Sequence, residues 1–350
     1  MSNENIRYCG RIDRSKKYAP VFYYAGSYAE INFMGTGISV TLTNHTVWGD
    51  VSLGFILDGK MGKLPLSEEY NDQQLTVPIA EGLESGVHKL IIYKAHGANH
   101  FYSLKGIDII SGVILPPSDL GDHLKLEVFG DSVCAGEVCE AIEYVGRADP
   151  EDHNSAYDNA WYSFVMQASR MLNAEIHNIA QGGIAVFSNT GYFHMPNTIG
   201  MEAVYDKLCY FPEAGPITKW DFTQYTPDIV IIALGQNDNH NSIGNVNDLD
   251  INDPPYRYRW KGGYKNIVMR LAENYGKDHV KFVLTTTILR HDPAWDEAIE
   301  EICGELSADG YMVWHNVFTR NGNATDGHPR ITEHTEMANE LVAFIKDNVL

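Results

Sequence analysis

The spacing of apolar residues changes near Gly121, and this change constrains the fold more than any other feature of the sequence. Over residues 21–110, apolar residues alternate with polar ones in short runs separated by turn residues. After Gly121, short apolar runs alternate with stretches of helical spacing. Alternation with period two is typical of half-buried strands, whereas strands that alternate with helices favour a parallel sheet covered by helices. The sequence therefore predicts two domains, residues 1–118 and residues 119–350.

The first predicted domain consists of strands. Its alternating runs are residues 29–34, 38–43, 51–57, 74–79 and 87–93. Glycine-containing turns separate them, and no helical period of useful length occurs, so the pattern predicts an antiparallel β-sandwich of the jelly-roll type. Small sandwiches of this kind often bind sugars. A structural role, in which the domain forms one wall of a cleft that belongs to the second domain, is the favoured interpretation.

The second predicted domain is of the α/β class. Its predicted strands are residues 124–129, 176–180, 228–234, 280–286 and 311–317, and its predicted helices are residues 159–172, 262–274, 295–306 and a last helix that begins at Ile331. This alternation predicts a flavodoxin-like, three-layer α/β/α domain with a five-stranded parallel sheet. In such sheets ligands bind beyond the carboxyl ends of the strands, so residues that directly follow strands are candidates for a functional site.

Four loops at that edge carry the residue types that acyl transfer requires. Ser132 follows the first strand, Gly183 the second and Asn237 the third, and Asp326 and His328 lie in the loop after the last strand. His328 is the candidate base for the Ser132 hydroxyl, and Asp326 is the candidate partner of its other ring nitrogen. The N–H groups of Ser132 and Gly183 and the amide of Asn237 are candidate oxyanion donors. A turn or a helix cap explains each motif alone, so the prediction depends on their occurring together.

These motifs resemble the sequence blocks of the SGNH (GDSL-type) hydrolases. The matching segments are Gly130-Asp131-Ser132, Gly183, Gly235-Gln236-Asn237-Asp238 and Asp326-Gly327-His328-Pro329. Residues 10–13 and 24–37 are similar to the sandwich that precedes this domain in carbohydrate esterase family 2. The resemblance implies a serine esterase, free of metal and cofactor, that removes O-acetyl groups from hemicellulose-derived manno-, xylo- or gluco-configured oligosaccharides through an acetyl-enzyme. Asp326 precedes His328 by two positions, whereas the acid of the wider superfamily usually precedes the histidine by three. The resemblance implies that members of this esterase family use the shorter spacing or lack the acid.

Two long segments after the second and third strands, residues 184–226 and 239–260, are predicted to build the cleft, because loops of this size in a compact domain are usually functional. Tyr192, Tyr258 and Trp260 within them are candidate substrate-binding residues that could stack on sugar rings. Contacts in the core or between subunits are an equal alternative for each of them.

Several other polar residues are assigned from their positions. Asp131 is counted among the substrate-binding candidates, although orienting the nucleophile loop through hydrogen bonds is its expected role. His334, in the first turn of the last predicted helix, is expected on the surface. No metal is predicted, because five further histidines show no ligand spacing, namely His153, His177, His194, His240 and His291. The five cysteines are odd in number and scattered, which is typical of reduced thiols in a cytosol.

Charge and hydropathy exclude several classes of partner. The formal net charge of −20, from 46 acidic and 26 basic residues, argues against a nucleic-acid or anionic-membrane partner and suits a neutral ligand. The acetylated oligosaccharide that the resemblance implies as the partner is such a neutral ligand, and a homo-oligomer is left open. No export signal is visible, so a cytoplasmic location is expected, or a secreted one if a leader was removed. A lipase or thioesterase of the same superfamily and a non-catalytic sugar-binding protein are the alternative functions.

Overall fold

Two β-sheets, one antiparallel and one parallel, organise the chain in the computed structural model, which describes residues 3–350. The antiparallel sheet contains β1 (Ile6–Cys9), β2 (Ile12–Asp13), β3 (Val21–Phe22), β4 (Tyr28–Thr46), β5 (Ser52–Leu57), β6 (Lys60–Pro65), β7 (Gln74–Lys94), β8 (His100–Ile110) and β9 (Val113–Leu115). The strands β4 and β7 are 19 and 21 residues long, so each joins two of the predicted short strands. β1, β9 and β8 pair with successive lengths of one edge of β4, and β7 pairs along its other edge. The predicted sandwich is thus one curled antiparallel sheet.

The parallel sheet has the five strands that the sequence predicts. They are β10 (Leu124–Gly130), β11 (Ala174–Ala180), β12 (Ile229–Ala233), β13 (Lys281–Thr285) and β14 (Val313–His315), in the order β11-β10-β12-β13-β14. The helices are α1 (Ser132–Ala135), α2 (Phe164–Met171), α3 (Met201–Val204), α4 (Pro254–Tyr275), α5 (Ala294–Ala308) and α6 (Ile331–Phe344), which continues into a π-helical turn at Ile345–Val349. The chain passes from β10 to β11 on one side of it and then crosses to β12 on its other side. Open α/β sheets bind ligands at such a reversal of the strand order.

Side chains of the parallel strands alternate between two apolar layers. Val128 and Ile231 pack in the layer that contains residues of α2 and α6. Phe129 and Ile232 pack in the layer that contains residues of α4 and α5. Because successive residues of a strand point to opposite faces, a run that is apolar throughout predicts helices on both faces. The structure confirms this three-layer arrangement.

The helix α4 is longer than the sequence predicts. It begins at Pro254, which occupies the first helical turn, and not near residue 262. Proline is favoured there because it lacks an N–H group that would have no acceptor in any case, and its φ angle already suits a helix. The segment 239–260 that was predicted to be a cleft loop is therefore helical in its last third, from Pro254 onward. No helix within residues 3–350 has the length and apolar character that a bilayer span requires.

A buried ion pair joins the two domains. Arg11, between β1 and β2, lies against Glu127 of β10, with 2.9 Å between Arg11 Nη2 and Glu127 Oε1, and both side chains are fully buried. The hydroxyl of Tyr275, at the end of α4, donates a hydrogen bond of 2.5 Å to the other oxygen of Glu127. Arg11 Nη1 donates to the carbonyl oxygen of Tyr205 at 2.6 Å. Every charged group of this interdomain cluster thus has a partner.

Candidate active site

A cavity of about 960 Å³ opens at the carboxyl ends of the parallel strands. Ser132, Gly183, Asn237 and His328 all line it, and so does Asp326. These residues come from four loops that are far apart in sequence. The structure therefore brings the predicted nucleophile, base and oxyanion donors to one cavity.

The loop that carries Ser132 is held by Asp131. The carboxylate Oδ1 of Asp131 accepts a hydrogen bond from Val133 N–H at 3.0 Å, which caps α1. Its Oδ2 accepts from Gln236 Nε2 and, at 3.4 Å, from Asn237 Nδ2. Asp131 is fully buried and does not line the cavity, so the prediction that it binds substrate is wrong. Burial raises the pKa of Asp131 to about 6. The hydrogen bonds of its carboxylate connect the loop that carries Ser132 with the loop that carries Asn237.

His328 is oriented by Asp149. Its Nδ1–H donates to Asp149 Oδ2 at 2.6 Å, and its backbone N–H donates to Asp149 Oδ1 at 2.9 Å. Arg330 Nη2 lies 2.9 Å from the same carboxylate. Burial lowers the pKa of His328, but the hydrogen bond and charge of Asp149 outweigh it, so that the pKa is raised. The remaining ring nitrogen, Nε2, is left to exchange a proton in the cavity.

The predicted pairing of Asp326 with His328 is wrong. Asp326 forms an ion pair with Arg290, with 2.5 Å between its Oδ1 and Arg290 Nη1, and both side chains are more than half exposed. Asp149 lies 179 residues before His328 in the chain, in the long segment between α1 and α2. No motif marks it; the only signal is an acidic residue in a loop at the correct edge of the sheet.

The three predicted oxyanion donors differ in whether their N–H groups already form hydrogen bonds within the protein. Ser132 is the first residue of α1, so its N–H has no acceptor within the helix. Gly183 has a φ of +73°, and a Cβ there would lie 2.8 Å from that of Tyr192, so glycine is required. Asn237 Nδ2 donates to the carbonyl oxygen of Ile184 at 3.1 Å and makes only a long contact with Asp131. One of its two hydrogens is thus held weakly enough to be redirected.

Of the three aromatic residues that were predicted to bind substrate, one lines the cavity and two do not. Tyr192 lines the cavity, stacks on His240 with ring centroids 4.0 Å apart, and donates a hydrogen bond to Asn247 Oδ1. Tyr258 does not line it and is 84% exposed. Trp260 is fully buried and donates from Nε1 to Asp238. Burial contradicts the predicted contact of Trp260 with substrate, and Tyr258 lies outside the cavity; both residues are on α4 and not in a loop.

The first domain supplies one wall of the cavity. Val47, Trp48 and Ala98 belong to it and line the cavity. Trp48 is half exposed, so its ring is accessible to a ligand. The interpretation of this domain as a cleft wall agrees with its position.

His334 is fully buried, contrary to the expected surface position. Its Nδ1 accepts a hydrogen bond of 3.1 Å from Phe164 N–H, the first N–H of α2. Burial lowers the pKa of His334 to about 3, so the ring is neutral and can act as this acceptor. Within the part of the chain that is described, no three His, Cys, Asp or Glu residues are grouped as a metal site would require.

Comparison with known proteins finds similarity to carbohydrate esterases. The family model for the carbohydrate esterase 2 N-terminal domain matches residues 8–117. The chain is 28% identical to the cellulase/esterase CelE of Acetivibrio thermocellus, covering 99% of this chain but 40% of that protein. It is 26% identical to an acetylxylan esterase / glucomannan deacetylase of Cellvibrio japonicus, covering 99% of this chain and 89% of that one.

A solved structure shares the whole fold. It is a family two carbohydrate esterase from Clostridium thermocellum in complex with cellohexaose, which superposes with a TM-score of 0.79 and is 27% identical. The match covers 98% of each chain, so it includes both sheets.

Proposed function

This chain resembles family 2 carbohydrate esterases over nearly its whole length, and we propose that it is a carboxylic ester hydrolase. Its proposed reaction is the removal of O-acetyl groups from hemicellulose-derived oligosaccharides. The observation that carries the proposal is the convergence of Ser132 and an Asp149-oriented His328 on one cavity. A hydroxyl, an oriented imidazole and amide donors are the groups that acyl transfer needs.

In the proposed reaction, Ser132 Oγ attacks the acetyl carbonyl carbon while His328 Nε2 takes the hydroxyl proton. The tetrahedral intermediate collapses, the ester C–O bond breaks, and His328 returns the proton to the sugar oxygen. Water then attacks the acetyl-enzyme while His328 Nε2 takes its proton; the bond between Ser132 Oγ and the acetyl carbon breaks, His328 returns the proton to Oγ, and acetate leaves. Asp149 stabilises the imidazolium that forms in both steps and holds the tautomer in which Nε2 is free.

The oxyanion that forms in each step needs donors that are already in place. The N–H groups of Ser132 and Gly183 and the Asn237 amide fill this role in the proposal, and each such donor contributes about 3–4 kcal/mol in comparable sites. Asn237 Nδ2–H would give up its weak contact with Asp131 and donate to the oxyanion instead.

The cavity suits an uncharged, ring-shaped substrate. Trp48 from the first domain and Tyr192 from the second both line it, and aromatic rings stack on the apolar faces of sugars. The net charge of −20 disfavours anionic ligands, but not neutral oligosaccharides. The name of the relative from Cellvibrio japonicus gives acetylxylan and glucomannan as its substrates, which supports an acetylated hemicellulose as the substrate here.

Replacing the nucleophile tests the proposal. Ser132→Ala should lower acetate release from acetylated xylo- and manno-oligosaccharides by at least about 10³-fold, because the acetyl-enzyme cannot form. Acetate is measured by NMR, which also gives the position of the ester. Ser169→Ala is the matched control, because Ser169 is buried and its hydroxyl donates a hydrogen bond to the carbonyl oxygen of Met166 in its own helix.

Other outcomes would point to the alternative functions. Retention of most activity in Ser132→Ala would contradict acyl transfer through this residue. Hydrolysis of long-chain esters in preference to acetyl esters would indicate a lipase or thioesterase. Binding of acetylated sugar by the wild type without turnover would indicate a non-catalytic sugar-binding protein.

A further inference from the structure

Gln181 lines the cavity, but the proposed reaction gives it no role. It directly follows β11, and its backbone N–H donates to the carbonyl oxygen of Gly130 at 3.1 Å. Its own carbonyl oxygen accepts from Ile184 N–H at 3.3 Å, which closes a turn around Gly182 and Gly183. Gln181 therefore begins the turn that carries the Gly183 N–H, one of the candidate oxyanion donors.

The buried side-chain amide of Gln181 forms three hydrogen bonds. Its Nε2 donates to the carbonyl oxygen of Gly182 at 3.2 Å. Its Oε1 accepts from the Tyr210 hydroxyl at 2.8 Å and from Ala98 N–H at 2.7 Å. Tyr210 lies in the long segment between α3 and β12, whereas Ala98 belongs to the first domain, between β7 and β8. One amide thus joins the turn to two distant parts of the chain.

The first-domain loop that carries Ala98 is held from within the fold. Lys94 is fully buried, and its Nζ donates to the carbonyl oxygens of His96, at 2.6 Å, and of Gly97. The backbone at Gly97 comes so close to Gln181 that a Cβ there would lie 3.1 Å from Oε1. The loop therefore presents the Ala98 N–H to Gln181 from a well-supported backbone.

The position of the turn matters for the transition state and not for the bound substrate. Among residues 3–350, the N–H of Gly183 has no acceptor, so it is available to an oxyanion. The oxyanion exists only in the tetrahedral intermediates and the transition states beside them, and a hydrogen bond to it weakens steeply when the donor is misplaced. A displaced turn should therefore lower kcat and leave KM nearly unchanged.

We propose that Gln181 is a positioning residue of the oxyanion site, which fixes the turn of Gly182 and Gly183 against the first domain. This inference rests on the proposed esterase function. Gln181 transfers no proton and touches no reacting atom. Through Ala98, the first domain contributes to the geometry of catalysis as well as to the wall of the cavity.

Replacing the amide of Gln181 tests the inference. Gln181→Met removes the three hydrogen bonds at similar side-chain length, so kcat for an acetylated xylo-oligosaccharide should fall about 10- to 100-fold. KM should stay within about threefold, because the lost interaction is made only in the transition state. The same fall is expected for p-nitrophenyl acetate, since the oxyanion forms from the acetyl group that both esters share.

A second buried glutamine gives the matched control. Gln167, on α2 and outside the cavity, also donates to a carbonyl oxygen, that of Tyr162, and accepts from the Thr335 hydroxyl. Gln167→Met loses comparable hydrogen bonds, and its kcat should stay within about twofold of the wild-type value because no candidate donor depends on it.

Tyr210→Phe is a milder change that tests the same connection. It removes one donor to Gln181 Oε1 and keeps the ring that stacks on Tyr24 with centroids 4.5 Å apart. We expect kcat to fall about 2- to 5-fold in the wild-type background. Added to Gln181→Met, the change should have no further effect, because its acceptor is already gone.

The contradicting outcomes separate this inference from the esterase proposal. An unchanged kcat in Gln181→Met, or an equal loss in Gln167→Met, would overturn the positioning role alone. A rise in KM confined to the sugar ester would show that Gln181 contacts the substrate instead, and independent effects of Tyr210→Phe and Gln181→Met would show that they do not act through one hydrogen bond. Failure of the wild type to release acetate from either ester would overturn both proposals.

Discussion

At the level of single residues, the partner of His328 decides the pH range in which Ser132 can be activated. Asp149 raises the pKa of His328. Burial raises the pKa of Asp149, but the hydrogen bond and charge of His328 outweigh this effect and hold that pKa well below its usual range. Only the neutral imidazole is a base, so activity should fall as the pH drops through the pKa of His328. Asp149→Asn removes the charge that favours the imidazolium. We expect kcat to fall about 10²- to 10⁴-fold and the acidic limb of the pH profile to move to lower pH, as measured by acetate release.

The matched control is the residue that the sequence favoured for the same role. Asp326→Asn should keep kcat within about twofold and leave the acidic limb in place, because Asp326 is paired with Arg290 at the solvent-exposed rim. If Asp326→Asn lost more activity than Asp149→Asn, the assignment of the acid to Asp149 would be wrong.

At the level of elements, α4 supports the loop that carries Asn237. Trp260 Nε1 and Val186 N–H both donate to Asp238 Oδ1 at 2.9 Å, and Asp238 follows Asn237 directly. Trp260→Phe leaves this buried carboxyl with one donor fewer, which should reduce the free energy of unfolding by about 1–3 kcal/mol. Displacement of the Asn237 amide should also lower kcat, by up to about 10-fold. Urea denaturation and acetate release measure the two effects.

Tyr258 provides the comparison within the same helix. Tyr258→Phe alters a side chain that is 84% exposed and should change neither stability nor kcat measurably. A loss of activity in Tyr258→Phe together with normal activity in Trp260→Phe would restore the earlier hypothesis that Tyr258 contacts the substrate.

At the level of the whole molecule, the domains are joined by the interdomain cluster around Arg11. Arg11→Met leaves Glu127 as a buried carboxylate without its cation, and Tyr275 alone remains to bond it. Removal of one partner from a buried ion pair typically costs about 3–5 kcal/mol. We expect a loss of this size in urea denaturation followed by tryptophan fluorescence.

A surface pair serves as the control for this loss. Arg270 and Glu273 form an ion pair on α4 with both side chains more than half exposed. Arg270→Ala should cost no more than about 1 kcal/mol, because solvent screens exposed charges. Equal costs for Arg11→Met and Arg270→Ala would show that the buried cluster does not hold the domains together.

Local patterns in the sequence were sufficient for the fold and for part of the candidate site. The period of apolar residues depends only on neighbours along the chain, and it predicted the antiparallel domain and the five parallel strands. The carboxyl ends of parallel strands share one edge, so the residues that follow them meet. This rule placed Ser132, Gly183, Asn237 and His328 in one cavity without any tertiary information.

Contacts between distant, irregular segments were decided by the tertiary structure alone. Asp149 reaches His328 across 179 residues from a loop without a motif, and the nearer Asp326 turns to Arg290 instead. The burial of Trp260 and His334 depends on which helix faces the sheet and where that helix begins, because apolar spacing locates helix ends poorly. Periodicity determined which residues lie at the edge of the sheet. The packing of the loops determined which of them touch, because side-chain partners there are set by distances in space and not by spacing in the chain.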